Sequence, residues 1–541
     1  MPIAHPPIDI SFVRRRQSLT CRRLDFSSPQ GEALSENLPR IERVTPVSRI
    51  SSGRNRTDAA HNAVQAKSDT LFTAFPVELR VEVFLQFCGM YPPVNKDKGP
   101  LMLLQVCRAW RQLTLQTPQL WRSFALQIGP RLTGPEHSEF LVSTIEGWIE
   151  RSRNIPLSFE LHYKPDRSTA KPVFDATYTN LIRTILPSSA RWRDVALSAP
   201  TTCLSPLLEV SPDSFSGIRS LRVETAGPWG SLFGLNSLGF NWAQLRELDL
   251  FLIATPTLDE CLHILKEGVN LTRCTMNAIC VFTASAPERV ALPKLRHFSL
   301  TLYGRTSSVL PQDQPESHLL SFLNTLCLPG LESLQLSWNA TSGPNQGYYW
   351  SDFFTEFLTF LEQLGPSLTA LHLFYLPFSV AQVLKCLRVL PSLRHLDLRL
   401  PQSDREHDFV NDEFLGALAQ EPGLSEIVPV LQSIRLESRG ESFTNSALLG
   451  FIASRWRHQG PPTNGALECF ELVSPKRCVE YRPQMLRDWE EGRLDVAAGL
   501  KCECKMVDVL SSFLGRASYG RRTCFLNSGF SSDIRHFLAL H

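Results

Sequence analysis

The sequence predicts an α/β chain in which a small all-α module is followed by an irregular α/β solenoid. Three observations carry this reading. A dense apolar segment with helix signals runs from Phe75 to Trp121. A short phrase, apolar-x-x-apolar-x-apolar, returns ten times between Trp192 and Leu472. Amphipathic helices fill the intervals between its copies, which is the pattern of a repeat architecture. At 541 residues the chain is too long for one small core. It divides into an arm (1–70), a helical module (71–126), a repeat domain (137–500) and a tail (501–541).

The arm mixes Arg, Ser, Pro and Asn with no sustained period and reads as solvated and disordered. A weak import or phosphate-binding tract at Arg14-Arg15-Arg16 and Arg22-Arg23 is the alternative. The helical module opens as Phe75-Pro76-Val77-Glu78-Leu79, where Pro76 suits a first helical turn. Leu79, Val83, Phe84 and Phe87 then draw an apolar stripe down a short helix. A break from Gly89 to Pro100 follows, carrying Pro92, Pro93 and Gly99. The chain resumes as Leu103-Leu104-Gln105-Val106-Cys107-Arg108-Ala109-Trp110-Arg111, then Thr117-Pro118-Gln119-Leu120-Trp121. So short a segment cannot easily bury so many large apolar side chains alone, and a partner is expected to cover some of them.

These residues resemble the F-box, the adaptor-binding module of cullin-type ubiquitin ligases. The family pattern is a Leu-Pro-x-Glu start, a Val-Cys-Arg-x-Trp helix and a Pro-x-Leu-Trp end. This chain has Phe75-Pro76-Val77-Glu78, Val106-Cys107-Arg108-Ala109-Trp110 and Pro118-Gln119-Leu120-Trp121. Their order and spacing match the versions common in mushroom-forming fungi. Phe75 stands in place of Leu, and the Gly89–Pro100 loop is longer than in the compact animal form. The resemblance implies that a Skp-family adaptor, and through it a cullin, is bound by Phe75, Pro76, Glu78, Leu79, Val83, Phe84, Leu104, Val106, Cys107, Trp110, Leu120 and Trp121. It also implies a substrate receptor of a Skp-cullin-F-box ligase, in which catalysis arises from holding a target near a charged conjugating enzyme. The alternatives are an interaction scaffold outside any ligase, and an ordinary helical core in which Trp110 and Trp121 fill space.

After the module, Phe140 to Trp148 reads as a helix and Pro156 to Leu161 as a strand. The phrases then begin at Trp192, Ile218, Leu245, Leu271, Leu295, Leu331, Leu368, Leu393, Leu431 and Leu467, about 24 to 38 residues apart. In the last three residues of each, two apolar side chains alternate and point into a core from one face of a strand. The first apolar residue closes the turn over that core. Each buried Leu contributes on the order of 1.5–3 kcal/mol, and only stacking makes the core continuous. The phrases resemble the leucine-rich repeat in an irregular form, since the usual Asn after the strand is missing. The clearest intervening helix is Asp352 to Leu364, with Asp352 as N-cap and Gly365-Pro366 as stop. Met485 to Trp489 reads as a helix and Arg493 to Ala497 as a last strand, beyond which the register disappears.

Composition narrows the function. A net charge of +2 with 20% charged residues lacks the basic excess that nucleic-acid or membrane surfaces call for. No long apolar run predicts a transmembrane span, and Ile8 to Val13 is too short for a signal peptide. The fourteen cysteines lie among leucine-rich segments and read as buried thiols of a reducing compartment, the cytoplasm or nucleus. No catalytic constellation is present: Gly227-Pro-Trp-Gly230-Ser-Leu-Phe-Gly234 lacks the lysine of a phosphate loop, and there is no His-Glu-x-x-His. A non-enzyme without cofactor or metal is therefore expected. Asp404, Glu406, His407, Asp408, Asp412 and Glu413 read as a solvated loop leading into a helix, and Cys502-Glu503-Cys504 is too close-spaced and isolated for zinc. Cys107 reads as a packing residue within an apolar helix. For an unknown target protein the candidates are Trp338, Tyr348 and Tyr349, beside the outward middle residues of the phrases, His372 and Asp397 among them. Against this, the aromatic residues simply cover the edge of the repeats.

Overall fold

Every one of the ten phrases is a strand. The computed structural model describes residues 74–129, 135–163, 176–226, 240–252, 255–283, 288–303, 315–339, 353–376, 378–399, 410–419, 427–438, 442–455, 467–473 and 501–505. The phrases contribute β3 (Trp192–Pro200), β4 (Ser220–Ala226), β5 (Glu247–Phe251), β6 (Arg273–Ile279), β8 (His297–Tyr303), β10 (Ser333–Asn339), β11 (Ala370–Phe374), β12 (His395–Arg399), β13 (Ser433–Glu437) and β14 (Cys469–Val473). Before them stand β1 (Ser123–Ile128) and β2 (Leu157–Tyr163), and after them β15 (Lys501–Lys505). These form one 13-stranded sheet in chain order, and neighbouring strands are parallel throughout, as β1 with β2 and β14 with β15. The short β7 (Val290–Ala291) and β9 (Leu326–Cys327) pair separately.

Register turns the phrase into two apolar ladders. Phe124, Phe159, Val195, Leu221, Leu248, Cys274, Phe298, Leu334, Leu371, Leu396, Ile434 and Phe470 stand side by side across the sheet. Two residues on, Leu126, Leu161, Leu197, Val223, Leu250, Met276, Leu300, Leu336, Leu373, Leu398, Leu436 and Leu472 do the same, and every side chain in both rows is buried. The first apolar residue of each phrase is buried as well. It closes a turn, as where the Leu295 N–H donates to Leu292 O at 3.2 Å and the Leu331 N–H to Leu328 O at 3.2 Å.

The helices are α1 (Val77–Cys88), α2 (Gly99–Val106), α3 (Arg108–Gln116), α4 (Pro135–Arg151), α5 (Ala176–Ile185), α6 (Leu258–Glu267), α7 (Pro315–Thr325), α8 (Phe354–Leu364), α9 (Val380–Arg388), α10 (Asp412–Leu418) and α11 (Asn445–Arg455). From α6 onward each packs on the next, so helices and strands together enclose the core. Reciprocal capping boxes start two of them, Thr257 with Glu260 and Ser379 with Gln382. In α8 the buried face is Phe354, Phe357, Phe360, Leu361 and Leu364. Its N-cap position is Phe353 with no side-chain cap; Asp352, the expected cap, lies outside the described residues.

Two boundaries differ from the sequence reading. The sheet begins at Ser123, inside the segment assigned to the helical module, because Phe124, Leu126 and Ile128 alternate and are buried. At the other end β15 occupies residues assigned to the tail, and its Cys502 and Cys504 take the register positions of Phe470 and Leu472. The expected elements at 485–489 and 493–497, and the arm Met1–Thr70, lie outside the described residues.

The N-terminal helices and the sheet belong to one compact unit. Aromatic rings join them without a break: Trp121 meets Trp148 with centroids 5.0 Å apart, Phe124 stacks on Phe159 at 5.5 Å, and Phe159 meets Trp192 at 5.0 Å. The loop between α1 and α2 reaches the sheet as well. Pro93 bridges to Ala125 of β1: the Ala125 N–H donates to Pro92 O at 3.0 Å, and the Val94 N–H to Ala125 O at 3.0 Å.

Candidate interaction site

Helix α1 is apolar on two sides. Inward, Phe84 is buried and its ring lies 4.8 Å from that of Trp110, which is half-buried. Leu103 of α2, Leu113 of α3, and Leu120 and Trp121 complete this small core. The Trp121 indole N–H donates to Thr114 O at 2.9 Å, and the Arg151 guanidinium lies over the ring, 4.9 Å from its centroid. Outward, Phe75, Leu79, Val83 and Phe87 are 55%, 54%, 55% and 53% exposed. Leu79, Val83 and Phe87, four residues apart on α1, form one stripe, and Phe75 stands just before the helix, ahead of its N-cap Pro76. Val106 of α2 is exposed too, and Leu104 is half-buried.

The adaptor-facing set expected from the sequence therefore splits. Phe75, Pro76, Glu78, Leu79, Val83 and Val106 are exposed, and Leu104, Cys107 and Trp110 are half-buried. Phe84, Leu120 and Trp121 are core and are not available to a partner. Cys107 is not within a helix: with φ −154° it is the extended break between α2 and α3. The apolar pattern showed that these side chains needed cover, but not which of them the chain itself would cover.

The expected target-binding set fares differently. Trp338 and Asp397 are buried, and His372 is largely so; Tyr348 and Tyr349 lie outside the described residues. The middle residues of the phrases form a half-buried polar row between the two apolar ladders, not an open face. Arg222 pairs with Asp249 at 3.0 Å and Arg435 with Glu471 at 3.7 Å. Asp397 is 3% exposed and receives a two-point fork from Arg399, Nε to Oδ1 at 3.2 Å and Nη2 to Oδ2 at 2.9 Å. The same guanidinium lies 3.9 Å from the centroid of the Phe374 ring. Burial acts to raise the Asp397 pKa, but His372 and the Arg399 fork outweigh it and hold the carboxyl below its ordinary value. At Asp249 burial wins over Arg222 and the pKa rises. The Arg222–Asp249 and Arg435–Glu471 pairs fix neighbouring strands to one another, the Arg399 fork lies within β12, and together they leave little for a ligand.

Among the described residues no group of three or more His, Cys, Asp or Glu side chains is placed to hold a metal. Nor is any helix among them long and apolar enough to cross a membrane. Asp412 and Glu413 sit in the first turn of α10, where the Asn411 side chain accepts the Phe414 N–H at 2.8 Å; residues 404–408 lie outside the described residues. The thiols of Cys261 and Cys274 are fully buried and pushed well above the ordinary range, and that of Cys386 is pushed up to about 12. Since the thiolate is the nucleophile, maleimide should label exposed Cys327 at least about a hundredfold faster than these three. Peptide mapping of briefly treated native protein checks this.

A cleft of about 410 Å³ is a feature that sequence reasoning missed. It is lined by Arg219, Gln244, Arg246, Asn270, Thr272 and Lys294, at the edge where β4, β5 and β6 begin. The signal was present in the phrases, whose second residue is Arg at 193, 219, 246, 296 and 394.

The class is thus an α/β protein on one long parallel sheet, with an uncovered apolar stripe on its N-terminal helices. No protein-family model matches the chain, and no curated protein matches it significantly.

Proposed function

We propose that the chain is the substrate receptor of a Skp-cullin-F-box ubiquitin ligase. In this reading residues 71–126 are an F-box that docks on a Skp-family adaptor and, through it, a cullin. The remaining sheet and helices are an irregular leucine-rich-repeat solenoid that holds a target protein in the cytoplasm or nucleus. The supporting observation is the stripe of Leu79, Val83 and Phe87, three large apolar side chains left to solvent on a helix whose other face is packed, with exposed Phe75 just before its N-cap. A contiguous apolar patch of this kind marks an interaction surface. Its position coincides with the start of the F-box-like motif, and the chain needs no active site of its own.

Deleting residues 72–125 would also remove the first half of β1 and its covering loop, so point variants are the cleaner test. Leu79→Ala with Val83→Ala removes exposed side chains and should leave the melting temperature close to that of the parent. Recovery of adaptor and cullin on co-purification should fall at least about tenfold, as for two interface anchors worth about 1 kcal/mol or more each. Unchanged recovery in a folded double variant would leave the chain an interaction scaffold outside the ligase.

A further inference from the structure

The residues at the N-terminal ends of the strands carry a local excess of positive charge. Arg193, Arg219 and Arg246 occupy successive rungs: the Arg219 N–H donates to Arg193 O at 2.7 Å, and the Arg246 N–H to Arg219 O at 2.8 Å. Neighbouring strands lie about 4.8 Å apart, so these cations leave the backbone at close spacing. Like charges on adjacent strands repel. Farther along the row the repulsion is relieved, since Arg296 pairs with Glu332 at 3.0 Å. Arg193 has Asp194 at 3.9 Å. Arg219 and Arg246 have no carboxylate partner among the described residues, and both line the cleft.

The other polar groups of the cleft are already engaged. The Gln244 amide donates to Phe215 O, the Thr272 hydroxyl to Arg246 O at 3.0 Å, and the Asn270 amide to Ala243 O at 2.7 Å. The Asn270 oxygen accepts from Lys294 Nζ at 2.6 Å, which holds that ammonium at the cleft. No carboxylate is among the described lining residues, and nearby Glu247 accepts from Ser220 Oγ at 3.2 Å. Two guanidinium groups without a side-chain partner among the described residues and a held ammonium are what the cleft offers.

We propose that this cleft binds a phosphate monoester, presented as a phosphoserine or phosphothreonine side chain of a partner protein. A phosphoryl group carries nearly two negative charges and three acceptor oxygens, enough for both forks and the ammonium. A carboxylate has two oxygens and saturates with one fork. An extended polyanion fits less well, because the same row turns to Thr272, Glu332, Thr369, Gln432 and Glu468 and the whole chain has a net charge of only +2. The site stands independently of the ligase reading.

The test uses the full chain and three probes, namely a capped glycyl-phosphoseryl-glycine, its unphosphorylated form and a short single-stranded oligothymidylate, by titration calorimetry. The phosphopeptide should bind and its unphosphorylated form should not. Arg219→Gln with Arg246→Gln should weaken the phosphopeptide at least about tenfold, as expected for losing two charge-assisted contacts. Lys385→Gln with Arg388→Gln, on α9, should not. Arg219→Lys with Arg246→Lys keeps the charge, provides a second folded variant and should give an intermediate loss. The proposal is overturned if the two peptides bind alike, if both cleft variants bind as the parent does, or if the oligonucleotide binds more tightly than the phosphopeptide.

Discussion

Replacing Leu396 by Asp is expected to cost at least about 4 kcal/mol of stability, while Arg394→Asp changes it by no more than about 0.5 kcal/mol. Leu396 is buried in the first apolar ladder, between Leu371 and Ile434 on the neighbouring strands. The variant loses about 1.5–3 kcal/mol of apolar burial and places a carboxylate among side chains that cannot solvate it. Arg394 lies just before the same strand with its side chain exposed. Urea unfolding followed by circular dichroism separates the two outcomes. Identical midpoints for parent and both variants would mean that the strand faces the other way.

The second large effect is at Arg455. This side chain ends α11 fully buried, and its guanidinium donates to three backbone oxygens: Nε to Leu418 at 2.7 Å, Nη1 to Val428 at 2.8 Å and Nη2 to Ile427 at 2.6 Å. One planar group thereby satisfies carbonyls at the C-terminus of α10 and in the turn before β13. Arg455→Met keeps most of the volume but strands those acceptors, and should cost about 3–5 kcal/mol. Arg455→Lys should recover little of it, because an ammonium cannot reproduce the fork. The same urea titration reads both, and a Lys variant as stable as the parent would contradict the role assigned to the fork.

The strands were legible because their determinant is local. Apolar-x-x-apolar-x-apolar states which side chains leave one face, and from Trp192 to Leu472 each such phrase is a strand in register with its neighbours. β1 was missed although Phe124, Leu126 and Ile128 alternate plainly, because the residues before it already fitted a helical motif. Burial of polar residues was not legible. Asp397 occupies the same place in its phrase as Gln335 or Arg435, and it is buried because Arg399 and His372 close around it from its own and the neighbouring strand. The two faces of α1 were blurred for a similar reason: Val83 and Phe84 are adjacent in the chain, yet one faces solvent and the other Trp110. The cleft residues could be read only by comparing the second position across phrases, where Arg219 and Arg246 lack the acid that Arg296 finds in Glu332.

The Pro-rich loop between α1 and α2 looks, in sequence, like an insertion that merely lengthens the module. Its contact with Ala125 gives it another consequence. A long parallel sheet whose first strand lay bare would offer its unpaired N–H and C=O groups to any other extended chain, and copies could add one after another into fibres. Pro92 and Val94 occupy those groups at the centre of β1. Neither Pro92 nor Pro93 has an N–H with which to pass the pairing on. The loop is thus a terminator for sheet growth, and the concentration at which this chain stays dispersed depends on the prolines of this one loop.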